Sequence, residues 1–264
     1  MKKRNYTLIA GTIMVLAAIL IAIIAEFYTP YATDALSVSD KFLSPSLKHI
    51  MGTDNLGRDI LSRVMVGMGT TIKISGMAIL IGGTLGVILG TVSGYIGGFF
   101  DEVLMRINDV VASVPSILLA MVFIGVMGRG TVTVTVALGI AFIPSFARVV
   151  RGEVMNYRHR DFVKSAKLSG AGPVRIMFLH IMPNIKNTLL AAVATGFNNA
   201  VLAEAGMSYM GIGVQPPTPS LGEMLASSQS FWGLAPWYVI FPGLAIIYLV
   251  ISLVIFSNGL KKNM

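Results

Sequence analysis

The chain contains no cysteine. That excludes a disulfide framework, thiolate catalysis and cysteine-ligated metals. Charge is scarce as well: Asp, Glu, Lys and Arg make up 12% of 264 residues while 55% are hydrophobic, where an ordinary globular protein has roughly a quarter of its residues charged. No Gly-Lys dipeptide occurs anywhere in the sequence, so there is no P-loop and no means of cradling ATP by that motif. Histidine is limited to His49, His159 and His180, too scattered to form a local metal motif, and no Ser/His or metal constellation falls within the apolar runs.

What is present in quantity is long apolar sequence. A membrane-spanning helix needs about 20 predominantly apolar residues, and six stretches qualify: 7 to 25, 71 to 97, 110 to 128, 131 to 150, 188 to 209 and 236 to 257. They are too long and too uniformly apolar for outer-membrane strands, which alternate over roughly ten residues. The composition therefore predicts an all-α membrane protein. The first run, Leu8 to Ala25, exceeds the roughly 7 to 15 residues of a signal-peptide core, and no A-x-A site follows it, so it is read as an uncleaved anchor. The sixteen Met residues show no repeated spacing and are assigned to packing or lipid contact.

A net charge of +8 raises nucleic-acid binding in a soluble protein, but here the positions of the cations decide otherwise. Lys2, Lys3 and Arg4 precede the first span, Arg106 and eight residues from Arg148 to Lys186 fall between later spans, and Lys261 and Lys262 follow the last. By the positive-inside rule these mark one face as cytoplasmic and place both termini there. The remaining six, Lys41, Lys48, Arg58, Arg63, Lys73 and Arg129, fall on the opposite side. The predicted organisation is an anchor and extracytoplasmic segment over 1–70, a five-helix core over 71–257 with a cytoplasmic loop at 151–187, and a tail over 258–264.

Within the spans, Gly82, Gly86, Gly90, Gly94 and Gly98 recur every fourth residue. On a helix this draws a smooth ridge that lets another backbone approach closely, whether in the same chain or in a second subunit. Pro115, Pro144 and Pro242 permit kinks. Glu204 is the most deeply placed acid, and with Thr195, Asn198 and Asn199 it either lines a passage or bonds neighbouring helices.

The cytoplasmic loop has its own grammar. Asp161 to Leu168 favours a short helix with an apolar side of Phe162, Val163 and Ala166; Gly170 and Gly172 end it, and Pro173 opens a second helix over Val174 to Met182. The result is a short projecting helix offering Ser165, Ala166 and Ser169 for close docking against another protein. The segment resembles the EAA loop of binding-protein-dependent ABC transporter permeases, whose pattern is Glu-Ala-Ala-x-x-x-Gly with a hydrophobic-Pro ending. Lys164, Ser165 and Ala166 take the first three places, Gly170 the glycine place, and Ile181-Met182-Pro183-Asn184 the ending. Lys164 stands where Glu is usual, and Ser165 where Ala is usual.

Two further blocks resemble the dipeptide, oligopeptide and nickel permeases, specifically their second, C-type membrane subunit. The first is Gly52, Thr53, Asp54, Asn55, Leu56, Gly57, Arg58 and Asp59 through Ser62 and Arg63; the second runs from Glu204 to Ser220. Physically, Asp54, Arg58, Asp59 and Arg63 can form a local charge network, which either holds a turn-rich loop in shape, the favoured reading, or touches substrate; the proline-rich second block is expected to be a stiff turn re-entering beside the passage. The resemblance implies a six-span type I importer permease in a bacterial-type cytoplasmic membrane, carrying short peptides or nickel chelates. It implies a second homologous permease, two cytoplasmic ATPase subunits and an extracytoplasmic binding protein as partners, with ATP and Mg held by the ATPases and no cofactor or metal bound by this chain. Lys164, Ser165, Ala166, Gly170 and Pro183 would be the coupling residues. Asn198, Asn199 and Glu204 remain the candidates for lining the passage. An ion-coupled transporter acting alone would be expected to show intramembrane acids or broken helices in repeated halves.

Overall fold

The computed structural model describes residues 6–262, so Lys2, Lys3 and Arg4, which the charge argument used, lie outside the described residues. Among those described the chain is almost wholly helical, its one β-type pairing an isolated antiparallel bridge between Thr53 and Asp59. Helix α1 (Tyr6–Phe27) is followed by a turn-rich segment and then by α2 (Ile60–Ile96), the longest helix, whose N-terminus is capped by the Asp59 carboxylate accepting from the Ser62 amide at 2.8 Å. Such a cap satisfies an amide that has no partner within the helix.

Helices α3 (Gly98–Ser113) and α4 (Ser116–Met127) follow, bent by 85° at Val114–Pro115. The sequence reads as one span over 110 to 128; the structure shows a broken one whose first arm begins a dozen residues earlier. Proline removes a donor and disfavours helical backbone in the residue before it, and Val114 is extended at φ −89° and ψ 127°. Helix α5 (Thr131–Tyr157) carries Pro144 without interruption. A short α6 (Asp161–Leu168) leads to α7 (Pro173–Asn184), which widens to π-helical turns over Ile176–Ile181 before Pro183 and is bent by 72° from α8 (Lys186–Tyr209). Helix α9 (Leu221–Ser228) is short, and α10 (Pro236–Lys261) closes the chain. Among the described residues four helices are long and apolar enough to cross a membrane, and up to six crossings result if each bent pair counts as one.

The glycine ridge decides the packing. A Cβ built on Gly82 would lie 2.6 Å from the Gly139 carbonyl oxygen, on Gly86 2.5 Å from Phe146 Cβ, on Gly90 2.4 Å from the Ala147 oxygen, and on Gly94 2.8 Å from the Arg151 oxygen. The ridge therefore seats α5 of the same chain, backbone against backbone. Helix α1 is held to α10 in the same manner: a Cβ on Gly11 would meet Phe256 N at 2.4 Å, and one on Gly259 would meet Leu8 Cα at 2.5 Å.

One buried apolar cluster joins α2, α4, α5 and α8 through Ile74, Ala78, Ala120, Val134, Leu138, Phe146 and Met207. A second joins α1, α2, α9 and α10 through Ala18, Ile60, Leu221, Met224, Tyr238 and Leu249. A third, Val150, Val154, Val163, Ile176, Ile181 and Ile185, ties α6 and α7 to the end of α5.

Replacing Gly86 with Leu should cost on the order of 3 kcal/mol by forcing α2 and α5 apart, read as a lowered unfolding temperature of the purified protein in detergent. Gly152→Ala is the control: no atom lies within 4 Å of its added Cβ, so stability should hold or rise by about 0.5–1 kcal/mol.

Candidate functional site

Two constructions at opposite ends of the helix bundle stand out. At the α9 end, the segment before α2 folds around buried charge. Asp54 is fully buried; its Oδ1 accepts from the amides of Leu56 at 2.8 Å and Arg58 at 2.9 Å, and its Oδ2 accepts from Arg58 Nε at 2.6 Å. Gly57 closes this turn at φ +78°, where a Cβ would also lie 1.9 Å from the Ser37 carbonyl oxygen. Thr53 donates its hydroxyl to the Asp40 carbonyl and accepts from the Leu43 amide at 2.8 Å. Asp59, besides capping α2 through Oδ2, bonds His49 Nδ1 through Oδ1 at 2.9 Å, and Ser62 Oγ accepts from the Tyr31 amide at 3.0 Å. On the rim, Ser37 Oγ donates to Asp40 at 2.9 Å, and that bond, aided by the nearby charge of Lys48, holds the Asp40 carboxyl below its ordinary range.

Arg63, 1% exposed, joins this loop to the far end of the chain. Its Nη2 donates to Glu223 Oε2 on α9 at 3.2 Å, its Nη1 to the Thr33 carbonyl at 3.1 Å, and its Nε lies 3.8 Å from Asp54 Oδ2. Trp237 and Tyr238 of α10 complete the contact, reaching the Thr53 carbonyl at 3.3 Å and Asn55 Oδ1 at 3.5 Å. The sequence reading named Asp54, Arg58, Asp59 and Arg63 as a network within the loop. It missed Glu223, Trp237, Tyr238 and His49. The Ser220-Leu221-Gly222-Glu223 capping pattern was the one available signal for Glu223: Ser220 Oγ does accept from the Glu223 amide at 3.2 Å, but the Glu223 side chain is turned to Arg63 and Ser227 instead.

At the other end, α6 and α7 form an arm. Val163, 0% exposed, anchors it in the third cluster. The α6 terminus is closed by paired bonds, Gly170 N–H to the Lys167 carbonyl and Ala171 N–H to the Ala166 carbonyl, both at 3.0 Å, with Gly170 at φ +82°. This is the left-handed glycine cap in which the outer amides return to the last turn. Lys164 pairs with Asp161 of its own helix at 3.0 Å, and Lys167 Nζ lies 5.4 Å from the centre of the Tyr95 ring. Ser169 Oγ donates to the Ser165 carbonyl at 3.0 Å. Beyond Pro183, which has no amide to donate, Asn184 Nδ2 supplies the His180 carbonyl at 2.6 Å. The tip is apolar and uncovered: Leu168 is 90% exposed, and Val174 and Leu179 are also exposed. Two of the basic residues nearby serve the fold, Arg151 in a two-pronged pair with Asp101 at 2.6 Å and Arg158 donating to the Gly94 carbonyl at 3.0 Å.

Between these ends lie the polar residues of α8. Glu204 is fully buried and accepts from Ser208 Oγ at 2.7 Å, and Ser208 Oγ in turn accepts from the Val214 amide at 3.1 Å, closing the turn after α8. Asn198 is half-buried, whereas Asn199 is exposed and lines a cavity of about 610 Å³ between the α3/α4 break, α5 and α8.

An arm with a glycine-capped helix at one end and a stapled loop before α2 at the other are the two places the sequence singled out. In comparison with known proteins, residues 84–264 match the family described as the binding-protein-dependent transport system inner membrane component. The chain belongs to this family of importer permeases. Among curated relatives, the permease is 34% identical to the dipeptide transport system permease protein DppC of Haemophilus influenzae over 98% of this chain and 90% of that one. It is 35% identical to the glutathione transport system permease protein GsiD of Pectobacterium atrosepticum, covering 98% and 86%. Among solved structures, an inward-facing MetNI methionine ABC transporter chain superposes with a TM-score of 0.62 at 16% identity, covering 76% of the permease and 94% of that chain. The fold is thus that of an ABC importer permease, and the permease is a multi-pass membrane protein.

Arg63→Ala removes the cation from two buried carboxylates and should lower stability by about 3–5 kcal/mol. The double variant Arg63→Ala/Glu223→Ala should lose less than the sum of the two single changes, measured as a double-mutant cycle of unfolding free energies in detergent.

Proposed function

We propose that this permease carries short peptides, with dipeptides and small tripeptides such as glutathione as its class of cargo, across a bacterial-type cytoplasmic membrane. It does so as the second membrane subunit beside a homologous permease, receiving cargo from an extracytoplasmic binding protein. Two ATPase subunits, which hold the ATP and Mg, supply the energy by gripping the α6–α7 arm. Both termini and the arm then lie on the cytoplasmic side, and the loop before α2 and helix α9 on the other, as the distribution of Lys and Arg requires.

The observation that carries this reading is the arm. Its tip places Leu168, Val174 and Leu179 in the open beside Lys164, Lys167 and Arg175. Exposed apolar side chains rimmed by charge mark a protein-docking surface. Bending at the α7–α8 junction by 72° makes α7 a lever on α8, so a displacement of α6 is delivered to a helix that crosses the membrane. That is the geometry alternating access needs. Relatives named for dipeptides and glutathione support a peptide cargo over a nickel chelate. The ion-coupled alternative draws no support from the family match.

Lys164 alters the docking chemistry rather than removing it. Its ammonium meets the ATPase where the family's usual residue offers a carboxylate, so the facing groove should carry an acid.

Gly170→Val is the decisive variant. No atom crowds the site, so the change costs about 1–2 kcal/mol of backbone strain at a positive φ and tilts the arm without disturbing the bundle. In proteoliposomes of the complete importer, peptide uptake should be lost while ATP hydrolysis no longer responds to the loaded binding protein. Leu168→Asp should do the same by weakening assembly, read as loss of ATPase subunits on co-purification. Normal uptake by Gly170→Val would sink the assignment of the arm.

A further inference from the structure

The cavity at the break between α3 and α4 has a property that lipid cannot supply. Ser116 sits at the break, Ser145 lies halfway along α5, and Thr195 and Asn199 lie in the middle of α8; all four line the same space of about 610 Å³. Ser145, Thr195 and Asn199 are exposed, although the Thr195 hydroxyl already donates to the Ala191 carbonyl at 2.9 Å and lies 3.2 Å from Ser257 Oγ. These positions are at the depth of the spans, where hydrocarbon offers polar groups no partner.

The backbone points the same way. An 85° break ends the hydrogen-bond ladders of α3 and α4; Ser113 Oγ takes up the Val110 carbonyl at 2.7 Å, and Pro115 and Pro144 both line the cavity. Interrupted helices at membrane depth persist only where protein or a water-filled cavity solvates them, and half-helix ends of this kind gather at substrate sites in transporters.

We infer that this cavity is the chain's own wall of a water-filled passage, and that Ser145, Thr195 and Asn199 are the mid-membrane contacts for the cargo. The assignment rests on the peptide-importer reading for the nature of that cargo. Hydroxyls, a carboxamide and backbone groups offer both donors and acceptors, as an amide-bearing molecule requires. Among the described residues the lining contains no carboxylate and no imidazole, and its charged members, Arg148 and Lys261, are both cations. Arg148 is paired with Asp109 at 2.9 Å and, with Lys261, lies toward the arm end of the helices. The amide groups of a zwitterionic peptide fit this wall; a bare divalent cation, which needs carboxylate or imidazole ligands, does not. The volume lies within the roughly 300–1,000 Å³ of small-molecule sites. Of the candidates read from the sequence, Asn199 belongs to this wall, whereas Glu204 is turned into the turn after α8.

The natural lack of cysteine makes the test direct in this chain. Ser145→Cys, Thr195→Cys and Asn199→Cys, each in the complete importer in proteoliposomes whose other subunits lack accessible thiols, are treated during ATP turnover with a membrane-impermeant cationic thiosulfonate present on both sides. Val122→Cys and Leu244→Cys, exposed on α4 and α10 but outside the cavity, are the controls. The cavity cysteines should react, uptake of labelled alanyl-alanine should be lost on modification, and saturating alanyl-alanine with its binding protein should slow the reaction; the controls should stay unlabelled. Separately, Asn199→Leu should lower alanyl-alanine uptake about tenfold, the effect of one good hydrogen bond.

Unreactive cysteines at all three cavity positions would overturn the inference and identify this face as a seam closed by the second permease. Reactive cysteines without protection by the peptide would overturn the cargo contacts. Failure of the peptide reading itself has a different signature: the unmodified importer would take up neither alanyl-alanine nor glutathione, and the reactivity of the three cysteines would still decide whether the cavity is a water-filled passage.

Discussion

The close approach of α2 and α5 is the constraint on which the rest of the structure depends. In a bilayer, lipid tails are as apolar as leucine, so helices gain little by merely hiding apolar surface from one another. They gain by dispersion at short range, and four glycines in register, Gly82 to Gly94, bring the two backbones together along roughly three turns of helix. Once α5 is fixed on α2, its far end presents Val150 and Val154 to the arm. Its Pro144 faces the α3/α4 break, and its inner side presents Phe142 and Phe146 to α8. Arm, cavity and core are all positioned from this one seam.

The ends of the bundle differ in how they are held. At the α9 end, charges are buried, mutually bonded and drawn from sequence positions far apart. At the arm end, the contacts are an apolar anchor around Val163 and partly exposed ion pairs. Buried paired charge resists separation, because pulling it apart strands a charge in a poorly solvated place. An apolar anchor with an uncovered tip can shift by repacking. The rigid end and the adaptable end are thus chemically distinct.

Much of this was legible in the sequence, for identifiable reasons. Spans were readable because uniform apolarity over about 20 residues has few other meanings, and α6 because Asp161, Gly170 and Pro173 punctuate it within a dozen residues. The glycine spacing was visible, but the partner was not, since a ridge carries no mark of what covers it. Span three was read as a single run over 110 to 128 with a kink permitted at Pro115, because hydropathy is blind to direction and a proline does not give the size of a bend. Glu223 and Tyr238 escaped because their partners lie 160 and 183 residues away, beyond any local pattern. Asn198, Asn199 and Glu204 sit close together on one helix, yet rotation about the helix axis sends them to different surroundings, and only the neighbours of α8 determine which.

The bond between Arg63 and Glu223 has a consequence for how the protein is made. Translation delivers Arg63 before its acid exists, since 160 residues must still emerge, most of them helices bound for the membrane. Until then the guanidinium has Asp54 and the Thr33 carbonyl beside it, and it needs water or lipid headgroups to complete its solvation. The burial of that end of α2 is complete only with α9 and α10 in place. The clasp can close only after α9 has been made, and a chain truncated before α9 would lack it.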